Sequence, residues 1–461
     1  MSISRAVLAA ALAVALVAGA RAQKQKPPEG SAPKDFHLPA QSALTLENGL
    51  SGVFVPFGTI PMVTIRAVVA TGNIHEGDRE TWLADITGDM LKEGTATRTN
   101  RQIAQDAARL GGSITVAVGP DQTSITAEAL SEFGPAMLAL VADVLCAPSF
   151  PEAELARLKN DRLRQLSIEK TDPASIGLEK FRAVLYGSHP YGRVYPTPEV
   201  LQSYTIGQVR SFYRRNFGAA RTRVYVAGTF DPQAMEQAVR DAFGRWESGP
   251  APSSQAPKPV AGRAVHILDR PGAPQSTIYL GLPTIDPSHP DYRALSVTNS
   301  LLGGSFGSRI TSNIREDKGY TYSPSSSLSA RYRDAYWVQF ASVTTEVTGA
   351  ALTEIFREID RLAGEAPSSE ELRGIQNYAA GVFVLQNSSP SGIIGQLSYL
   401  HLHGLPETYL TEFVKTIYAV TPEQVRALTR RYIRPEEMVI VVAGDARKIR
   451  PQLEPFGRIL P

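Results

Sequence analysis

The sequence predicts an α+β chain built as two homologous α/β-sandwich domains. Three observations carry this. A helix–strand unit recurs at a spacing of 216 residues. Strand-like and helix-like segments come in groups rather than in strict alternation, which argues against a doubly wound parallel sheet. A Pro/Ser-rich stretch, Ser248-Gly-Pro-Ala-Pro-Ser-Ser-Gln-Ala-Pro-Lys-Pro259, divides the chain near its middle and has the composition of a linker. The domains that follow are 43–247 and 261–461, joined by a linker over 248–260.

The repeat reads directly off the residues. Thr205-Ile-Gly-Gln-Val-Arg210 aligns with Thr421-Pro-Glu-Gln-Val-Arg426, Arg214-Arg215 with Arg430-Arg431, and Val224-Tyr-Val-Ala-Gly228 with Ile440-Val-Val-Ala-Gly444. Each copy predicts a helix capped by Thr, basic along one face, followed by a buried strand ending in Gly. Asp172-Pro173 and Ser389-Pro390 open helices that end near Gly187 and Gly404.

In the first domain, Met62 to Thr71 is a β-branched run, and Thr81 to Leu91 and Arg101 to Leu110 have helical spacing. Ser113 to Val118 and Gln122 to Leu130 alternate as a hairpin around Gly119-Pro120-Asp121. Phe133 to Leu145 and Pro151 to Ile168 are amphipathic helices. The second domain repeats the plan. It has a strand at Ser276 to Gly281, a helix at Tyr292 to Leu302, a hairpin around Tyr332-Arg333-Asp334, and helices at Leu352 to Ala363 and Ser369 to Leu385.

The N-terminus reads as a cleaved secretory signal over 1–22. Arg5 supplies the positive charge, Ala6 to Ala20 an apolar run short for a bilayer span, and Ala20-Arg21-Ala22 the small-x-small cleavage pattern before Gln23. An N-terminal membrane anchor is the alternative. Residues 23–42 form a flexible lead-in, and no later segment approaches membrane-spanning length. The expected location is outside the cytoplasm, in a bacterial periplasm. The chain carries 47 basic and 45 acidic residues, a balance that gives no bulk attraction to nucleic acid. A single cysteine, Cys146, excludes an intramolecular disulfide and a cysteine-based zinc site.

Common catalytic signatures are missing. His75-Glu76 begins like H-E-x-x-H, but position 79 is Arg. His401 and His403 stand two apart, on opposite sides of any helix, where they cannot share an ion. There is no G-x-S-x-G elbow. Gly303-Gly-Ser-Phe-Gly-Ser308 lacks the Lys of a phosphate loop and reads as a sharp turn between helices.

The informative segment is Leu301-Leu-Gly-Gly-Ser-Phe-Gly-Ser-Arg-Ile-Thr-Ser-Asn-Ile-Arg-Glu-Asp-Lys-Gly-Tyr-Thr-Tyr322. It resembles the second domain of the pitrilysin-type zinc peptidases, in the branch containing mitochondrial processing peptidase. The matching residues are Leu302, Gly303, Gly304, Ser308, Arg309, Ile314, Arg315, Glu316, Gly319 and Tyr322. The resemblance implies two homologous α+β domains. It also implies that an active chain holds zinc on an inverted H-x-x-E-H helix of its first domain and on a later Glu. Met90-Leu-Lys-Glu-Gly-Thr95 is similar to the end of that helix. Counting back places the two histidines at Asp85 and Asp89 and the catalytic Glu at Gly88, with the distal Glu near Gln165. All four positions depart from the pattern. Gly88 has no carboxylate to act as a base, and zinc sites of this kind use His₂Glu. Asp85 and Asp89, four apart on one helical face, are either hydrogen-bonded helix residues or weak ligands for a hard ion.

Arg315 and Tyr322 match the family's Arg–Tyr pair, which the resemblance places against the substrate near the scissile bond. The alternatives are a salt bridge for Arg315 and core packing for Tyr322. The resemblance therefore implies a subunit without zinc or other cofactor of its own. It would be paired with an H-x-x-E-H chain that carries the zinc, and would act on an extended peptide. The rival expectations are an inert peptide-binding or scaffold protein and a metallopeptidase with unusual Asp ligands.

Overall fold

The structure, a computed structural model, describes residues 36–460; the signal segment 1–22 and most of the lead-in lie outside the described residues. The chain forms two six-stranded mixed sheets with helices packed on both. The first sheet comprises β1 (Ser42–Thr45), β2 (Ser51–Pro56), β3 (Met62–Val69), β4 (Ser113–Val118), β5 (Thr123–Leu130) and β6 (Thr222–Gly228), in the order β1-β2-β6-β3-β5-β4. The second comprises β7 (Ala264–Asp269), β8 (Gln275–Thr284), β9 (Ser325–Arg331), β10 (Asp334–Thr344), β11 (Val439–Gly444) and β12 (Ile459–Leu460), in the order β12-β7-β11-β8-β10-β9.

The two orders superimpose strand for strand. β6 runs parallel to β2, as β11 does to β7, and both pair antiparallel with the next strand inward. Only the outermost strand differs, β1 being antiparallel to β2 and β12 parallel to β7. The sequence repeat is visible at atomic detail. Thr205 with Gln208, and Thr421 with Gln424, form the same reciprocal capping box at the start of the helices Ile206–Asn216 and Pro422–Tyr432.

Each sheet has an apolar core against helices of its own half, one around Phe54, Ile65 and Met90 and the other around Leu280, Trp337 and Ile440. The opposite faces are covered reciprocally. Helix Pro173–Tyr186 of the first half packs on β8 and β11, with Phe181 and Leu185 against Tyr336 and Val441. Helix Pro390–His403 of the second half packs on β3 and β6, with Ile393, Ile394 and Leu397 against Val68 and Tyr225. Each sheet is thus closed by a helix from the other half. The segment between Phe243 and Ala264 carries neither helix nor strand past the turn at 244–246, and its Val260 N–H bonds the Leu185 carbonyl at 2.9 Å.

Two helices start or stop differently from the sequence expectation. Helix Leu83–Leu91 begins after Trp82, which takes a left-handed φ of 69°. Its indole N–H donates to the Val194 carbonyl at 3.1 Å, which fixes the ring. The helix at Tyr292 ends at Asn299 and widens into a π-helical turn, Ser300–Gly304. There a Cβ on Gly303 would come within 2.6 Å of Ser326 Oγ and 2.7 Å of Gln339 Oε1, so only glycine lets the turn lie against β9 and β10.

Candidate functional site

Helix Leu83–Leu91 turns Ile86 and Met90 into the core and leaves Asp85 and Asp89 on the other side. Facing them is helix Glu152–Thr171, which presents Arg162 and, one turn later, Gln165. Arg162 draws the group together. Its Nε donates to Asp89 Oδ2 at 2.7 Å, its Nη1 lies 3.4 Å from Asp85 Oδ1, and Nη1 also donates to Gln165 Oε1 at 3.1 Å. The guanidinium carbon stands 5.8 Å from the centre of the Trp82 ring. Asp85 accepts a further hydrogen bond from Asn73 Nδ2 at 2.8 Å. Burial pushes the Asp85 carboxyl up, against the opposing pull of Arg162 and of the Asn73 bond.

Behind Asp85 lies Glu76, only 5% exposed. Its Oε1 accepts from the Ala84 N–H at 3.0 Å and from Asn73 Nδ2 at 3.1 Å. Burial first, and then the charge of Asp85, raises its carboxyl to about 8. Gly88 faces the hairpin: a Cβ there would sit 2.5 Å from Val118 Cγ2 and 3.6 Å from Val116 Cγ1. A side chain at 88 therefore requires the Val118 side chain to shift.

This donor set does not fit zinc. It offers two carboxylates already neutralised by a guanidinium, an amide and a glycine, where the metal prefers imidazole. Among the described residues no group of three or more His, Cys, Asp or Glu is placed to hold a metal ion. His401 instead accepts or donates a 2.7 Å hydrogen bond at Nδ1 with the Tyr225 hydroxyl.

The second group is Arg315 with Tyr322. Ile310 and Ile314 anchor the motif in the core, and Arg309 grips Glu371 with two hydrogen bonds of 2.7 and 2.8 Å. Gly319 then turns the chain with a φ of 65°. The Tyr320 N–H bonds the Ile314 carbonyl at 2.8 Å, and Thr321 bridges to Val343 of β10. The loop is therefore pinned while the Tyr322 side chain stays 80% exposed. The Arg315 guanidinium lies 4.5 Å from the ring centre of Phe306 and 4.9 Å from that of Tyr322, with its Nε 3.1 Å from Glu316 Oε1. Such stacking holds the fork in one plane with N–H groups still free to donate. Tyr322 is no core residue, and the salt bridge that Arg315 makes is local.

Asp85, Asp89 and Gln165 are thus brought together, Gly88 points to the hairpin beside them, and Arg315 meets Tyr322. The two groups lie in different halves and share no hydrogen bond or ion pair among the described residues. Sequence inspection missed Arg162, Asn73, Glu76 and Phe306. Arg162 carried one usable signal: it stands three residues before Gln165, on the same helical face.

The class this fold defines is a two-domain peptidase-type α+β chain. Residues 58–197 match the model for insulinase (peptidase family M16), and residues 203–378 match that for the peptidase M16 inactive domain. The chain belongs to peptidase family M16. It is 25% identical over 404 residues to an uncharacterized zinc protease of Bacillus subtilis, covering 87% of this chain and 97% of that one. It is 27% identical over 413 residues to one of Mycobacterium leprae, covering 88% and 92%. Among solved structures, the peptidase M16 inactive domain from Pseudomonas fluorescens is similar with a TM-score of 0.82 at 26% identity, over 88% of this chain and 98% of that one. A protease from Helicobacter pylori has the same fold, with a TM-score of 0.82 at 17% identity over 88% and 100%.

Proposed function

We propose that this chain is the zinc-less subunit of an exported, heterodimeric M16 endopeptidase, lending Arg315 and Tyr322 to the active site of an H-x-x-E-H partner. The observation that carries the proposal is the contrast at the two sites. A guanidinium stands among the positions where the family has its metal ligands, while the Arg–Tyr pair is stacked, pinned and exposed. The partner's zinc supplies the hydrolytic chemistry. This chain's residues bind and orient. Arg315 offers N–H donors to backbone carbonyls of an extended peptide, and the Tyr322 hydroxyl offers a proton to an oxygen that gains negative charge during the reaction. The peptide adds as a strand to a sheet edge, which gives backbone affinity with little sequence preference.

Among the described residues no helix is long and apolar enough to cross a membrane. The small-x-small pattern Ala20-Arg21-Ala22 motivates the export reading, and N-terminal sequencing of the exported protein should begin at Gln23. The central test is copurification of the native protein, identification of its partner by mass, and turnover of an unstructured peptide by the reconstituted pair. The isolated chain should hold no stoichiometric zinc and cleave nothing. One tightly bound zinc per chain with chelator-sensitive activity overturns the proposal. A chain that binds peptide, with no H-x-x-E-H partner found, leaves the scaffold function instead.

A further inference from the structure

A cavity of about 290 Å³ lies between the two halves and shares no lining residue with either group above. The first half contributes the residues at the start of β6 and the hairpin turn at Asp121, the second contributes Tyr332 and His401, and the linker closes one wall with Ser254. Arg223 on β6 and Arg221, which ends the 3-10 turn Ala219–Arg221 just before it, both line the cavity.

Among the described residues, Arg221 lacks the carboxylate partner that a buried arginine ordinarily has, and Arg223, half-buried, lacks one too. Arg221 is 5% exposed. Its Nη2 donates to the Ala70 carbonyl at 3.0 Å and lies 2.9 Å from His75 Nε2, its Nη1 donates to the Arg215 carbonyl at 3.5 Å, and its Nε has no partner. Neither Arg221 nor Arg223 makes a carboxylate ion pair among the described residues. Asp121 is the one carboxylate among the lining residues, and it is engaged by the Tyr191 hydroxyl and by the Tyr332 N–H at 3.3 Å. The surroundings register the excess positive charge. Burial and then Arg221 hold His75 down at about 4, and burial and then Arg223 do the same to His401. A buried, unpaired guanidinium is costly, and its fork matches the oxygens of a carboxylate or phosphate.

We propose that this cavity is a binding site for a small oxyanion, held by Arg221 and Arg223 with Ser254 and His401 closing over it. The anion is either free phosphate or the terminal carboxylate of a peptide. Bound there, it joins a strand of the first half to the linker and to a helix of the second half.

The test uses the full mature chain. Calorimetric titration and thermal melting are run with inorganic phosphate against chloride at matched ionic strength, and with a short peptide as free acid against the same peptide as amide. The expected result is saturable binding and a raised melting temperature with phosphate, with the peptide acid, or with both. Phosphate alone identifies a free anion, and the peptide acid without its amide identifies a chain terminus. Arg223→Gln should weaken binding about tenfold or more. Arg223 is chosen because Arg221 also holds the Ala70 carbonyl, so its loss threatens folding. The proposal is overturned if no anion stabilises the chain beyond chloride, or if Arg223→Gln binds as tightly as the parent.

Discussion

The helix Leu83–Leu91 and the motif ending at Tyr322 make opposite use of charge. In the first, every polar group is answered from within. Asp85 and Asp89 share Arg162, Glu76 is held by the Ala84 N–H and by Asn73, and the Gly88 position is filled by Val118. In the second, Arg315 is steadied by the faces of Phe306 and Tyr322, and by a single exposed acid beside it. The first arrangement commits both aspartates to one guanidinium. The second leaves donors turned toward solvent. A family site can thus be closed in one half of a chain while its counterpart stays ready for a ligand.

Substitutions can break that contrast, and the largest effect belongs to Gly88→Glu. Its Cβ alone meets Val118 at 2.5 Å. Overpacking costs about 1–3 kcal/mol and an unpaired buried carboxylate adds roughly 2 kcal/mol or more. Thermal melting should show a strongly lowered midpoint, and metal analysis no gain of zinc. A variant that melts like the parent means β4 yields easily and the site is not closed.

Tyr322→Phe and Arg315→Ala test the open side. Removing one donor aimed at developing charge costs ~10²–10³ in rate, or roughly 3–4 kcal/mol, so both should lower turnover by the reconstituted pair while melting stays unchanged. Arg315→Ala should also raise KM, because it removes a substrate grip. Wild-type rates from both, with normal assembly, make the stacked pair merely structural.

Arg162→Met leaves two carboxylates facing each other. The loss should be about 2–3 kcal/mol near neutral pH, below the cost at a fully buried pair because Asp89 is part-exposed. It should shrink in acid, where protonation relieves the repulsion. Denaturant melts at several pH values measure it.

Glu76→Gln has the smallest effect. The Glu76 carboxyl, raised to about 8 in the fold, has an unfolded value of ~4.3. Between these values the native state holds a proton that the unfolded chain has released, so Glu76 makes stability fall as pH rises through that window. Glutamine removes this slope, so its stability relative to the parent should rise across that window and be greatest above pH 8. A pH series of melting temperatures with unchanged slope refutes it.

Much of the fold was legible because it is written in local pattern. The two Thr–Gln capping boxes, the hairpins at Asp121 and Arg333, and the strand pair β6 and β11 each rest on a few neighbouring residues. What escaped depends on docking. The spacing to Gln165 sets Arg162 apart from Arg164 but does not say that Arg162 reaches Asp89 while Arg164 sits at the surface beside Asp161. Trp82 gave no sign of its left-handed backbone, since large side chains rarely adopt it. The reciprocal cover of the sheets was equally silent, because an apolar helical stripe does not say which sheet it will meet.

The crossed helices Pro173–Tyr186 and Pro390–His403 make the molecule interlocked in a way its tandem sequence does not suggest. Neither half owns a complete interior, so neither can be expressed alone without baring a row of valines and tyrosines to water. A cut in the linker should sever the backbone without releasing either piece, because each half keeps its helix on the other's sheet. The duplicated units should therefore melt as one body rather than two, a single transition in calorimetry being the expected sign.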